Sequence, residues 1–269
     1  MTMGNETTIH PAAVIDPQAE LEAGVEVGPY AVIGPNVHIG ANTKIHPHVV
    51  IEGNTTIGTG CEIFPGAAIG LRCQDLKYKG ETTYVRIGDG TVIREYVTIN
   101  SSTGEGSETV IGRTCFLMAY CHVAHNCSIG NEVIMANLAS LAGHIVVEDM
   151  AILGGLVGVH QFVRIGTMSM TGGASKVNQD VPPYSLSDGH PCRVRSVNVL
   201  GLKRRGVPRE TREALHRAFK VLFFDGHPMS QAIKLVEAQG PLAPEVARLI
   251  EFIRASERGI GHEPCRRLA

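Results

Sequence analysis

Residues 119–127 read AYCHVAHNC, with two histidines three apart between two cysteines. Cysteine and histidine are the usual ligands of zinc. Histidine is also the side chain whose ordinary pKa suits a general base near neutral pH. Other residues able to do chemistry stand nearby in the chain: CQDLKYKG carries Gln74, Asp75 and Lys77, LAGH ends in Gly143 and His144, and GVHQF holds His160 and Gln161. Further on, LKRRG gathers Lys203, Arg204 and Arg205, a charge run that is either a solvated face or a cluster for phosphate. A metal site, a catalytic base with its neighbours, and plain packing all remain open until it is known which side chains share a face.

The elements that position them repeat every six residues. From Ile9 to Ile165 in steps of six, 24 of 27 positions are aliphatic or Met, failing only at Asp75, Glu81 and Glu105. Two residues before each hit lies a second column of small or β-branched residues, among them Val25, Ala31, Thr43, Cys61 and Ala67. In a strand, i−2 and i point to one side and i−1 to the other. Each six-residue side therefore sends one small and one aliphatic residue inward, then turns. Glycine often follows the hit, as at Gly28, Gly40, Gly88 and Gly112, and is expected there to relieve the corner. Stacked sides of this kind form a hexapeptide-repeat parallel β-helix. With three sides, one coil takes 18 residues.

On that reading Cys61, Cys115, Cys121 and Cys127 fall in the inward small column and act as small hydrophobes. His122 and His125 lie outward and at the corner, so the Cys–His quartet does not converge on one ion. Val123, Leu141 and Val159 are 18 apart, which puts His125, His144 and His160 on one corner of consecutive coils. Gly143 then sits directly over His125, with Gln161 one coil further. Residues 70–86 and 100–110 interrupt the repeat by 12 and 6 residues, and both excursions leave from this histidine corner. Three histidines stacked beside the two long loops point to a site, because binding residues concentrate on loops carried by a rigid scaffold.

The pattern fades through QDVPPYSLSDGHP, and residues 208–269 read as helices opened by Pro208 and Pro244 and broken at Gly240-Pro241. The expected division is a β-helix over 1–190 with loops at 70–86 and 100–110, then a junction and helical segment over 191–269 that caps the open end of the stack. The chain has 269 residues, 43% hydrophobic, with formal charge −2 and mean hydropathy +0.06. This balance fits a globular aliphatic core and disfavours a nucleic-acid partner. No apolar run approaches ~18 residues and no leader pattern opens the chain, so neither a membrane span nor export is expected. Seven cysteines without a signal peptide suggest reduced thiols in a cytoplasm.

Taken together, QDLKY, HVAHNC, LAGH, GGLVGVHQF, QDVPPY and GLKRRG, followed by helices, resemble the UDP-N-acetylglucosamine O-acyltransferases over nearly the whole chain. The resemblance implies three-sided, left-handed winding, although the general crossover rule favours the right hand. It implies cytoplasmic homotrimers with sites in clefts between neighbouring β-helices, and no cofactor or metal. The implied reaction moves an (R)-3-hydroxyacyl group from acyl carrier protein to the 3-position of the glucosamine of UDP-N-acetylglucosamine, opening lipid A biosynthesis. His125 matches the family's general base and the Gly143 N–H its oxyanion donor. Gln74, Asp75, Lys77, His122, His144, His160, Gln161 and Asn198 would surround the nucleotide sugar, while Arg204 and Arg205 would meet phosphates or the acidic carrier.

Two positions depart from the pattern: Asn126 stands where Asp is frequent, and Leu200 where Glu is found. An amide at 126 still orients the imidazole but stabilises its cation less than a carboxylate, so Asn126→Asp is expected to raise the pKa of the base. Gly173 matches the position that limits acyl length. Left open, it implies a donor of about fourteen rather than ten carbons, at ~0.8 kcal/mol per buried methylene, unless the MTGGAS corner needs glycine for its backbone. Three rivals share the β-helix: the N-acyltransferase later in the same pathway, which carries an extra N-terminal domain, coenzyme A-dependent transferases, and a zinc carbonic anhydrase.

Overall fold

The computed structural model describes residues 6–262. Short strands of two to five residues form three sheets of 11, 9 and 8 strands, here called A, B and C. Up to Val177 the chain visits A, B and C in rotation, so consecutive strands lie in different sheets and each strand pairs with its counterpart one coil away. The result is a three-sided, left-handed parallel β-helix.

Registers follow the expected arithmetic. Val123 pairs with Leu141 and Leu141 with Val159, 18 residues apart. Across the first excursion Ile69 pairs with Ile99, and across the second Ile99 pairs with Val123. The insertions of 12 and 6 residues are thus absorbed entirely outside the ladder. Both columns fill the interior: Ile69, Ile99, Val123 and Leu141 are fully buried, as are Ala67, Val97, Cys121 and Ala139. Burying one such aliphatic side chain is worth roughly 1.5–3 kcal/mol, and the column repeats it at every strand.

The corners differ from expectation in one respect. Glycines following the hit, such as Gly40 and Gly88, do not adopt positive φ. A Cβ on Gly40 would lie 2.6 Å from the Gly58 carbonyl carbon, and one on Gly88 2.6 Å from the Arg113 nitrogen. Glycine is needed there because the next coil passes too close. The left-handed residue comes two positions later, and it is usually not glycine: Tyr30, Asn126, His144, Leu156 and Phe162 all have φ between 58° and 65°. Each such residue costs on the order of 1–2 kcal/mol, an amount the ladder on both sides must offset.

The scaffold continues past residue 190. Arg193–Val197 pairs antiparallel with Ser185–Asp188 and ends sheet A. Helix α1 (Val199–Arg204) follows, earlier than the sequence pattern indicates, because Asn198 caps it: its side-chain oxygen accepts from Gly201 N at 3.1 Å. Helices α2 (Arg209–Phe219), α3 (Met229–Glu237) and α4 (Pro244–Arg254) pack round a second core of Leu215, Phe219, Leu249 and Ile253, with a π-helical stretch at Lys220–Phe224. Buried Asp180 ties the helices to the last coil. Its oxygens accept from Ser256 Oγ at 2.6 Å and from Arg164 N at 2.8 Å. Burial pushes its carboxyl above the ordinary range, opposed by those hydrogen bonds.

Candidate active site

Sheet B and the corner where it passes to sheet C form one wall of an open groove of about 840 Å³. The 70–86 excursion leaves sheet B at this corner after Ala68–Leu71 and returns at Tyr84–Ile87 of sheet C. It hangs Gln74, Asp75, Leu76 and Lys77 over the groove. Opposite them lie His122, His125, Gly143, His160 and Gln161. Eight of the residues singled out from the sequence therefore meet in one place.

His125 occupies the corner but is only 6% exposed, because the two loops cover it. Its Nδ1 lies 2.8 Å from Asn126 Oδ1. That amide is held by one residue of the second loop: Thr103 N donates to Oδ1 at 3.2 Å, and Asn126 Nδ2 donates to Thr103 O at 3.0 Å. An oxygen facing Nδ1 makes Nδ1 the protonated nitrogen and leaves Nε2 with its lone pair. Nε2 is 3.9 Å from Asp75 Oδ2. The Nε2–Cε1 edge of the ring rests over Gly143, where an added Cβ would collide with it.

Gly143 belongs to a column, two residues after each hit, whose backbone N–H has no ladder acceptor. Elsewhere the column holds Pro29, Pro35, Pro47 and Pro65, which lack that hydrogen, or Asn131, whose N–H is taken by Asp149 Oδ1 at 2.7 Å. At Ala119, Asn137 and Gly155 the N–H also has no acceptor among the described residues, so what sets Gly143 apart is the His125 ring beside it. Among the described residues nothing accepts from Gly143 N. A free donor thus stands beside the Nε2 of His125.

His144 packs edge-on against His125 at 5.1 Å and stacks on Phe162 at 4.8 Å, so it braces the His125 ring from outside the groove lining. Burial, with the His125 charge adding to it, holds its pKa below the ordinary histidine value, partly countered by Asp75. His122 is lowered too, by burial, and its Nδ1 lies 2.7 Å from Thr98 Oγ1. The cysteines of the opening motif point the other way. Cys121 and Cys127 donate to the Ala136 and Ala142 carbonyls inside the coil, and burial pushes their thiols up to about 11 and about 12. Neither is a thiolate near neutral pH. Among the described residues no three His, Cys, Asp or Glu side chains converge as a metal site.

Asn198, Arg204, Arg205 and Gly173 do not reach this groove in one chain. Asn198 caps α1 and donates to Met168 O at 3.0 Å, and Arg205 pairs with Glu132, both on the corner between sheets C and A. Gly173 is exposed on the corner between A and B. Its φ is not positive, and an added Cβ would meet only Gly155 O at 3.2 Å. The close packing belongs to Gly172, where a Cβ would lie 2.7 Å from Asp188 Cβ. The groove also contains Ser140, Gly158 and Lys176, which belong to none of the sequence motifs. They lie 18, 36 and 54 residues after His122 and pair in register above it on sheet B. The coil arithmetic that puts Gly143 over His125 would have found them.

Residues 180–261 match the family described as Udp N-acetylglucosamine O-acyltransferase, Domain 2. Residues 6–41, 36–71 and 108–143 match the bacterial transferase hexapeptide repeat. An acyl-[acyl-carrier-protein]--UDP-N-acetylglucosamine O-acyltransferase of Alkalilimnicola ehrlichii is 54% identical over 94% of this chain and 99% of its own length. The chain belongs to the UDP-N-acetylglucosamine O-acyltransferase family. A Synechocystis relative of the same name is 55% identical over 63% of this chain and 61% of its own length. The crystal structure of a UDP-N-acetylglucosamine acyltransferase from Bacteroides fragilis superposes with a TM-score of 0.92 at 42% identity, over 94% of this chain and 99% of the other.

Proposed function

We propose that this enzyme transfers an (R)-3-hydroxyacyl group from acyl carrier protein to the 3-position of the glucosamine of UDP-N-acetylglucosamine, the first step of lipid A biosynthesis. The observation that carries the mechanism is the pairing of a buried imidazole, free at Nε2, with the unclaimed Gly143 N–H. His125 Nε2 takes the proton of the sugar hydroxyl as its oxygen bonds to the thioester carbonyl carbon. The carbonyl oxygen becomes an oxyanion and accepts from Gly143 N–H. When the tetrahedral intermediate collapses, the C–S bond breaks and the leaving sulfur takes the proton from the imidazolium. Asp75, near Nε2, stabilises the cation while it exists.

Asn126 orients the base. Gln74, Lys77, His122, His160 and Gln161 contact the nucleotide sugar along the groove, with His144 bracing His125. Asn198, Arg204, Arg205 and Gly173 join the site from a neighbouring copy, in a cytoplasmic homotrimer. Support for the trimer comes from the corner between sheets A and B, where Tyr96, Tyr120, Leu138 and Leu156 form an exposed apolar ridge in successive coils. Such a ridge is a natural surface for a second copy. Among the described residues no helix is long and apolar enough to cross a membrane.

The test is incubation of the purified protein with UDP-N-acetylglucosamine and a series of 3-hydroxyacyl carrier proteins, weighing the products. Absence of an acylated nucleotide sugar with every donor would refute the reading.

A further inference from the structure

The 100–110 loop carries more than a cover for the groove. Ser102 and Thr109 are both fully buried, and their hydroxyls lie 3.1 Å apart. Both accept from the backbone N–H of Asn126, at 3.1 and 3.0 Å. Asn126 sits in the left-handed region at φ 58°, a conformation that needs such anchoring. Its side chain is gripped at the same time by the N–H and C=O of Thr103.

We propose that Ser102, Thr103 and Thr109 are positioning residues that act through Asn126 to hold His125 with its proton on Nδ1, and that this clamp is built for an amide and rejects a carboxylate at position 126. The polarity of the Thr103 backbone carries the first half. If the Asn126 amide flipped, its NH₂ would face the Thr103 N–H and its oxygen would face the Thr103 carbonyl, so both hydrogen bonds would be lost. Only one orientation satisfies the loop, and in it Oδ1 accepts from His125 Nδ1 at 2.8 Å. The ring tautomer is thereby set by the 100–110 loop acting through Asn126.

The second half follows from the same contacts. An ionised aspartate at 126 accepts hydrogen bonds and donates none. One of its oxygens would replace Nδ2 and lie near 3.0 Å from the Thr103 carbonyl oxygen, a repulsive pair at a half-buried contact. To stay in place the carboxyl must hold a proton, which imitates Nδ2 and removes the charge that would stabilise an imidazolium. Otherwise the loop must open. Either way Asn126→Asp gains nothing from its carboxylate, contrary to what the sequence alone suggests.

The inference rests on the general-base reading for its kinetic consequences only; the tautomer of the resting enzyme is independent of it. ¹⁵N imidazole shifts of the full-length enzyme, with His125 assigned by difference from His125→Ala, should show Nδ1–H. An Nε2–H ring would overturn the clamp whatever the turnover. In kinetics, Ser102→Ala/Thr109→Val should lose about 10-fold or more in kcat, part of the ~10²–10⁴ that a general base supplies, with KM for the nucleotide sugar unchanged. Thr109→Ser should restore the rate by restoring the hydroxyl. An unchanged kcat, or a loss that Thr109→Ser does not rescue, would overturn the role of the pair. Asn126→Asp should lose kcat without raising the pKa of the rising limb of kcat/KM. A fully active Asn126→Asp with that limb shifted upward would overturn the amide requirement. Full turnover in His125→Ala would instead refute the general-base reading and leave the tautomer result standing.

Discussion

Two corners of the β-helix share a backbone and differ in everything else. Where sheet A passes to B, the left-handed positions hold Tyr96, Tyr120, Leu138 and Leu156, with the two tyrosine rings stacked at 5.0 Å. Where B passes to C, the equivalent positions hold Asn126, His144 and Phe162. Leu156 is 62% exposed, whereas His125, next to one of those slots, is 6% exposed. Both excursions leave from the second corner and none covers the first. A repeating scaffold thus offers the same slot many times, and on the second corner it is His125 beside the slots that is buried, while Phe162 in the same row stays 55% exposed. The uncovered row is the surface proposed above to meet a second copy.

The comparison breaks most severely at His125. His125→Ala should lose ~10²–10⁴ in kcat with the nucleotide sugar still bound, as measured by steady-state kinetics and calorimetry. Because the side chain is buried beneath two loops, a modest drop in melting temperature should accompany the loss. Retention of half the activity would remove His125 from the mechanism.

At the bare corner, Leu156→Glu should convert the proposed trimer to smaller species in light scattering and abolish turnover together with assembly. A fully active trimer would mean that the ridge is not the interface. The exchange leaves the fold of one chain unchanged, since position 156 is exposed and already tolerates a side chain at φ 61°.

Gly173→Met, on that same corner, should shift selectivity from about fourteen carbons towards shorter donors, at ~0.8 kcal/mol for each methylene displaced. Backbone conformation does not demand glycine at 173, so turnover on short donors should survive. A wild-type optimum at short chains would refute the open groove.

The smallest effect is on stability against pH. His122 and His144 have pKa values held below the ordinary 6.5 by burial. The unfolded chain therefore binds their protons first, and stability falls as pH drops through ~6.5 until the folded pKa values are passed. Urea melts from pH 7.5 to 5 should show this decline, and His122→Gln should shrink it. No change between wild type and variant would exclude a contribution from His122.

Much of the site could be read from the chain because a coil is a counting device. Stepping by 18 from His125 reaches Gly143 and Gln161, and the insertions of 12 and 6 residues are visible as gaps in the series. The same step from His122 reaches Ser140, Gly158 and Lys176, which register marks although no polar motif does. The position of the left-handed residue was not legible, because most glycines after a hit mark close approach between coils, and the left-handed slot holds glycine at 24, 60, 66 and 90 but tyrosine, leucine, histidine and others elsewhere. Nor was the burial of His125, which depends on where two loops fold back.

Period, inward columns and strand register follow from residue order, since alternation along a strand and a fixed coil length leave one arrangement that buries the aliphatic series. The clamp on Asn126 does not. Ser102, Thr103 and Thr109 are 17 to 24 residues from it in the chain, with no spacing to mark them. They meet it only because a six-residue excursion closes over the corner, and the direction of two backbone groups then decides which nitrogen of His125 carries the proton.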